Sequence, residues 1–408
     1  MYDVIVVGAG PAGSTAAKFL AAHSRKVLLI DKDRFPRDKS CGGGLTAKVL
    51  NEFPYIEKNN LIESYSYGGY VYAGDIKNKA EIKKDKPLMA TVRRKKFDAG
   101  LVQLAVTQGC SFLEGKRVVD ILISENKVVV QIDTGERFES KMIIGADGIW
   151  SITRKKTGLD PSQKQFSVSL FNEYSVHEQV IDQYFSKKRY GHLHLKLNGL
   201  AGYGWVFAKK NHINIGIGEM TPYQTRSKHR KLKKIFQKYV QLLKQEKIIP
   251  KTITTDQIKG AALPTQPVEK TYGDRVLLCG DAAGLINPIT GEGIHYAMYS
   301  GRIAADIAHT ALEKNKMNQS FLSTYEKKWK QSFGKDIALF LKATKQWKKT
   351  DFKYFELLKR DEQLKDMLLE VMMGNTSVHT YKYKILKRIL YLKLIKGKSE
   401  RKKIDIRS

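Results

Sequence analysis

Three glycines, Gly8, Gly10 and Gly13, stand in a GxGxxG spacing directly after the apolar run Val4 to Val7. Glycines at this spacing allow a tight turn and bring the backbone against a pyrophosphate, whose charge the N-terminus of a following helix stabilises. Asp31, eighteen residues past Gly13, ends the next apolar run, where a carboxylate accepts hydrogen bonds from ribose hydroxyls. The chemistry is dinucleotide binding. An ordinary glycine turn is the plainer alternative, and the flanking strands and the acid argue against it. Cys41 then precedes Gly42, Gly43 and Gly44 in SCGGGL. Without side chains, that backbone is able to lie against a flat cofactor face.

Two later stretches carry related chemistry. GADGIWSITR places Asp147, Gly148, Ser151 and Arg154 after a strand, and VLLCGDAAGLINPITGEGIHYA places Asp281 after another, followed by Pro288, Gly291, Gly293 and a helix start. The Asp281 carboxylate suits a chain of sugar-like hydroxyls. The helix beginning near Gly293 offers free N–H groups to an electron-rich ring edge.

These residues need a particular scaffold. YDVIVVGAGPAGSTAAKFLAAHSRKVLLIDKD reads as strand, glycine turn, helix and strand, with Ala16, Ala17 and Leu20 at helical spacing. MATVRRKKFDAGLVQLAVTQG predicts a short strand and then a helix from about Phe97 to Gln108, stopped by Gly109. KVVVQID, SKMIIGADG and DRVLLCG predict further strands. Residues from about 160 to 260 differ, with aromatic strands GYGWVF and HINIGIG and the basic helix SKHRKLKKIFQKYVQLLKQ. The expected fold class is α/β. A discontinuous Rossmann-like domain, residues 1–159 with 260–315, embraces an inserted mixed α+β substrate domain, 160–259, which also takes in some strands within 55–95. Residues 316–408 are expected to be helical with a basic tail.

Taken in order, GxGxxG, GADGxxSxxR and the GD segment resemble the FAD-binding flavoproteins related to aromatic hydroxylases, and Arg94 matches the arginine of their R-x-x-F-D stretch. CGGGL, GYGWVF and NPITGEGI narrow the resemblance to the geranylgeranyl reductase family, which saturates isoprenoid double bonds; it extends over most of the chain and includes STYEKKW (Tyr325, Glu326, Trp329). The resemblance implies FAD, held by Gly8, Gly10, Ala12, Gly13, Asp31, Gly42, Gly43, Gly44, Arg94, Val118, Asp281, Gly293 and Ile294. It implies a catalytic Cys41 that tunes the ring, shapes the loop or assists proton delivery; the residues alone also allow a small buried hydrophobe. Tyr203, Trp205 and Phe207 alternate on one strand and so share a face, as the wall of a prenyl pocket or as core packing. The chain departs from the family at Leu200 and Ala208, where prolines flank the aromatic segment, and at Ser40, where proline precedes the cysteine.

The composition sets the partners. With 72 Lys+Arg against 41 Asp+Glu, the net charge of +31 favours anionic surfaces or phosphorylated ligands. Cys41, Cys110 and Cys279 are far apart and odd in number, which fits a reducing compartment and excludes a four-thiolate iron–sulfur cluster. No apolar run reaches the ~20 residues of a membrane span, and the N-terminal run is too short for a signal peptide. From Lys382 to Ser408 there are eleven Lys or Arg and two acids. Ile385, Ile389 and Leu392 recur there at helical spacing beside Leu386 and Leu390, a pattern that fits either attachment to a membrane surface or docking on its own domain. The expected setting is cytoplasmic, peripheral to a membrane, with an isoprenoid lipid substrate. One dinucleotide fingerprint serves FAD, so the electron donor is a ferredoxin-like carrier or transiently bound NAD(P)H. Nucleic acid is set aside because no recognition motif is present, and no metal site is expected. The rival readings are an FAD-dependent monooxygenase of the aromatic hydroxylase type, which would consume oxygen, and a non-enzymatic basic lipid-binding protein with the flavin fold, which would purify colourless. A flavin halogenase lacks support because its W-x-W-x-I-P segment is absent.

Overall fold

The computed structural model describes residues 1–159, 166–197, 200–219, 226–347, 352, 355–373 and 376–405. Its first sheet has eight strands. Tyr272–Gly273, Val276–Leu278, Arg137–Gly145, Tyr2–Val7, Val27–Asp31 and Ser111–Glu114 lie side by side, and the Val118–Ile123 and Val128–Ile132 pair extends from Arg137–Gly145. From Val276 to Glu114 the pairing is parallel. Parallel strands are buried on both faces, which explains their unbroken apolar runs. Val4, Val6, Leu29 and Ile144 pack beneath the helices Pro11–Ala22 and Ile294–Glu313, and Ile5, Val7, Leu28 and Ile30 pack against Val118 and Val130. The two helices approach closely enough that a Cβ on Gly301 would stand 2.3 Å from the Ala12 carbonyl.

The second sheet has seven strands, in the order Lys259–Pro264, Phe166–Ser175, His212–Glu219, Gly202–Ala208, Gly191–Leu195, Gly68–Ala73 and Asp75–Lys83. Two strands from before residue 95 therefore join it, through a parallel pairing of Gly191–Leu195 with Gly68–Ala73. Strand alternation divides its side chains. Val206 and Ala208 face the helices Glu178–Phe185 and Arg226–Gln245 with Ile213, Ile215, Phe236 and Tyr239, while Tyr203, Trp205 and Phe207 face the other way. A small sheet, Gly44–Thr46, Met89–Thr91 and Ser64–Ser66, follows the triple glycine. The next helix runs Arg94–Thr107, three residues longer at its start than the periodicity predicts. The Phe97 amide already bonds the Arg93 carbonyl at 2.8 Å, which places Arg94 in the first turn.

Beneath the helices, His192 and His194 stand on one strand with their rings stacked and Tyr72 stacked on His194 at 4.1 Å. Tyr72 and Tyr239 hydroxyls pair with their Nδ1 atoms at 3.0 and 2.8 Å, and His194 Nε2 has no partner. Burial, with a smaller repulsion from Lys79, pushes His192 down to about 4; burial and His192 push His194 down to about 3. Both rings are neutral in the fold but take up protons near pH 6.5 when unfolded. Stability is therefore expected to fall as pH drops from 6.5 toward these values, by about 2 kcal/mol per histidine at pH 5. Urea unfolding at pH 7 and pH 5 checks this. A slope unchanged by His194→Phe would contradict it.

The C-terminal part is helical. Tyr325, Glu326 and Trp329 of STYEKKW serve the scaffold: Tyr325 donates to the Leu278 carbonyl at 2.7 Å, Glu326 accepts from the Thr271 amide at 3.0 Å, and Trp329 donates to the Thr271 hydroxyl at 3.1 Å. The long helix Val378–Asp405 docks through Arg388 and Asp361, 2.6 Å apart. Ile385, Ile389 and Leu392 are half-buried on it, whereas Tyr383, Leu386, Leu390 and Tyr391 are exposed. The basic side chains beyond Leu392 lie outside the described residues. Among the described residues no helix is long and apolar enough to cross a membrane.

Candidate functional site

The site begins at the C-terminal edge of the first sheet. Gly8 has φ +96°, and a Cβ on Gly13 would meet the Gly8 carbonyl at 1.8 Å, so both positions need glycine for the turn itself. Gly10 is different. Its φ of −71° is ordinary, and a Cβ there would meet only Arg37 Nη2, at 3.9 Å. The open space in front of it, at the N-terminus of Pro11–Ala22, has the shape of a cradle for a phosphate. Asp31, expected to accept from ribose hydroxyls, has a structural duty here: its Oδ2 accepts from the Ala9 amide at 2.6 Å and its Oδ1 from the Asp33 amide at 2.9 Å, so it braces the turn. Val118 has its side chain buried in the core layer beneath.

Arg94 is gripped by Asp98, with two contacts of 2.7 Å, and Arg37 Nη1 reaches the same carboxylate at 3.0 Å. Burial opposes the Arg94 charge, but Asp98 outweighs it and holds the guanidinium protonated. Cys41 lies near enough to add to that stabilisation. Asp147 is spent internally, accepting from Ser151 Oγ at 2.5 Å and the Thr153 amide at 2.9 Å, while Arg154 donates to the carbonyls of Ala282 and Ile149. The GADGxxSxxR stretch thus ties the neighbouring GD turn in place. Asp281, in that turn, is raised by burial, with Lys39 and Arg94 pulling it back. Gly293 caps Ile294–Glu313 without a side-chain cap, leaving the first N–H groups of that helix free toward Asp281, whose Oδ1 would stand 3.6 Å from a Cβ on Gly293. The open approach to Gly10, the buried Asp281 carboxylate and the uncapped helix end at Ile294 are groups of the kinds that FAD requires.

Cys41 to Gly44 face these groups from the side of the second sheet. A Cβ on Gly42 would lie 3.1 Å from Phe207 and 3.2 Å from Trp205 Nε1, so the aromatic wall lies against the glycine loop. Tyr203 donates to the Thr290 carbonyl and joins the wall to the loop before Gly293. The structure therefore brings Cys41, the three glycines, Arg94, the aromatic triad and the Asp281 region to one place. Cys110 and Cys279 are buried elsewhere, their thiols pushed up to about 12 by burial.

A polar network unseen in the sequence holds the junction. Lys209 is 1% exposed; its Nζ donates to the Val92 carbonyl at 2.8 Å and to Glu173. Asn214, fully buried, accepts from Trp205 Nε1 at 2.8 Å and donates to the Cys41 carbonyl at 3.1 Å and to Glu173 at 3.4 Å. Lys209 follows the aromatic segment directly, the one local hint available. Glu292 is a further residue the sequence did not single out: Thr46 donates to it at 2.9 Å, and burial raises it.

Residues 1–335 match the FAD binding domain family. A digeranylgeranylglycerophospholipid reductase of Methanococcoides burtonii is 32% identical over 344 residues, covering 83% of this chain and 81% of its own. That of Methanothrix thermoacetophila is 30% identical over 385 residues, 92% of each chain. A geranylgeranyl bacteriochlorophyll reductase-like structure from Thermoplasma acidophilum superposes with a TM-score of 0.77 at 26% identity, covering 96% of this chain and 99% of its own. A flavin-dependent brominase with a TM-score of 0.72 at 18% identity shares the fold. On its motifs, its site and these likenesses, the chain belongs to the geranylgeranyl reductase family of FAD-binding flavoproteins.

Proposed function

We propose that this protein is an FAD-dependent reductase that saturates the C=C bonds of isoprenoid chains, with the geranylgeranyl chains of ether-lipid precursors as substrate. The observation that carries this reading is the apolar wall of Tyr203, Trp205 and Phe207 laid directly against the triple glycine, so that a flat cofactor and a hydrocarbon chain would meet there. The names of the relatives agree. Gly8, Gly10, Ala12 and Gly13 would seat the pyrophosphate, with Asp31, Arg94 and the Val118 backbone along the cofactor. Asp281 would take the hydroxyl chain, and Gly293 and Ile294 would give N–H groups to the ring edge.

FAD, when bound and reduced, would supply the hydride. An isolated double bond is unactivated, so the chain's own task is alignment in a dry pocket. The aromatic wall excludes water, and Gly42 to Gly44 let the backbone come close. Cys41 Sγ accepts from the Gly43 amide at 3.3 Å, and the thiol so held, or a water bound beside it, would give the proton to the second carbon. Residues 1–159 with 260–315 would act as the cofactor domain and 160–259 as the substrate domain.

Anaerobic incubation of the FAD-loaded protein, chemically reduced, with a geranylgeranylated glycerophospholipid tests the reading by mass spectrometry. Each saturated bond adds two hydrogens. An unchanged lipid beside a flavin that reoxidises only with oxygen consumption would overturn it.

The proposed setting is the cytoplasmic face of an anionic membrane, with an external carrier or NAD(P)H as donor. The exposed Tyr383, Leu386, Leu390 and Tyr391 lie on a helix rich in lysine and arginine, which supports surface attachment. Cosedimentation with anionic vesicles is expected at low salt, with release at high salt, and Leu386→Ser/Leu390→Ser should weaken it several-fold. Equal binding by the variant would count against this helix.

A further inference from the structure

A cleft of about 260 Å³ opens beside Cys41, between the second sheet, the loop before the triple glycine and the start of the helix Arg94–Thr107, and six of its lining side chains are cationic against two acidic ones. Partners inside the fold account for three of the cations. Arg94 belongs to Asp98, Lys209 to Glu173, and Lys259 lies 3.5 Å from Asp38. Arg93 Nε is 3.9 Å from a Glu173 carboxylate that Lys209 already occupies, and it has no hydrogen-bond partner. Among the described residues, Lys39 and Lys95 have no ion-pair partner. Lys39 is balanced in part by Asp281 and Arg93 in part by Glu173, and Lys95 by no acid, so the cleft keeps an excess of positive charge.

Their placement adds to the imbalance. Arg93, Arg94 and Lys95 occupy the start of the fourteen-residue helix Arg94–Thr107, which has no side-chain cap and no acid in its first turn. That end of a helix carries partial positive charge and favours acids, so cations there are opposed by the dipole. Desolvation at the cleft, with repulsion from Arg94 and Arg37, also lowers the Lys39 pKa, although Asp281 and Cys41 pull it back. A local arrangement that conflicts with helix electrostatics is expected where a ligand supplies the missing charge.

We propose that this cleft is a phosphate-binding subsite, separate from the Gly8–Gly13 cradle, in which Arg93, Lys95 and Lys39 hold a phosphoryl group of a molecule that reacts at the adjoining site. Two sources share that chemistry: the phosphate of a prenylated lipid, which rests on the reductase reading, and the pyrophosphate of a nicotinamide dinucleotide. Phosphate on Arg and Lys at a helix N-terminus is a charge-assisted contact, strong enough to fix the orientation of a long ligand.

The test uses the FAD-saturated protein, so that the cofactor's own phosphates already fill their cradle. Calorimetric titration with inorganic pyrophosphate is expected to show binding that Arg93→Gln/Lys95→Gln weakens at least about tenfold. Lys233→Gln/Lys234→Gln, an equal change of charge on the exposed face of a distant helix, should leave it unaltered. Equal loss in both pairs, or binding that FAD loading abolishes, would overturn the proposal. Kinetics then separate the sources. A raised KM for the phosphorylated lipid but not for its alcohol assigns the headgroup, whereas a raised KM for NAD(P)H in flavin reduction assigns the dinucleotide; if neither moves, the subsite is refuted. The titration needs no turnover, so it stays readable if the lipid proves not to be a substrate.

Discussion

Lys209→Met is expected to lower the melting temperature, loosen the Cys41 loop and reduce turnover at least about tenfold. The side chain is fully enclosed, and its ammonium is shared by Glu173 and the Val92 carbonyl. Removing one partner of such a pair leaves a desolvated charge behind. For wholly buried pairs the cost is 3–5 kcal/mol, and because Glu173 is 26% exposed a figure of about 3 kcal/mol is more fitting. The damage would spread along one path. Glu173 also accepts from Asn214, and Asn214 holds the Cys41 carbonyl and the Trp205 indole. Two measurements separate this from simple destabilisation. Alkylation of Cys41 by iodoacetamide should quicken well below the melting temperature, and Glu173→Gln on the Lys209→Met background should restore part of the stability by removing the orphaned charge. Wild-type alkylation kinetics in Lys209→Met would show that the network does not position the loop.

The second expectation sets two adjacent glycines against each other. Gly43 has φ +73°, and a Cβ there would stand 2.2 Å from the Val92 carbonyl and 2.9 Å from Lys209 Nζ. Backbone cannot yield cheaply, so Gly43→Ala should cost about 3 kcal/mol in the fold of the loop and weaken FAD binding by more than tenfold. Gly42→Ala would touch first the ring edges of Phe207 and Trp205, at 3.1 to 3.3 Å, and these side chains are able to shift by tenths of an ångström. It should retain FAD within a few-fold and instead alter the KM of the hydrocarbon substrate, since it pushes on the aromatic wall. Quenching of FAD fluorescence on titration with apoprotein measures both. Equal affinities in the two variants would mean that the loop does not form part of the cofactor's bed.

Several parts of this site were written locally. The GxGxxG turn is legible because its glycines answer a clash and a positive φ within six residues, and the parallel strands beside it are legible as unbroken apolar runs. Tyr203, Trp205 and Phe207 share a face because a strand alternates with period two. The uncapped start of the helix at Ile294 is likewise marked by the glycines before it.

What stayed hidden depended on which strand lies beside which. Asp31 looks like a ribose acceptor in the chain, and only the fold shows it bracing the Ala9 amide. The same holds for Arg37 meeting Asp98, and for the exposed rather than buried side of the helix bearing Leu386 and Leu390. Lys209 finds Glu173 across 36 residues and Val92 across 117, and Asn214 reaches Cys41 across 173. Turn geometry and side-chain periodicity act over a few residues and so are determined by the sequence alone. The pairing of distant polar groups is decided by sheet register and by the burial that makes an unpaired group costly, and both exist only once the tertiary structure has formed.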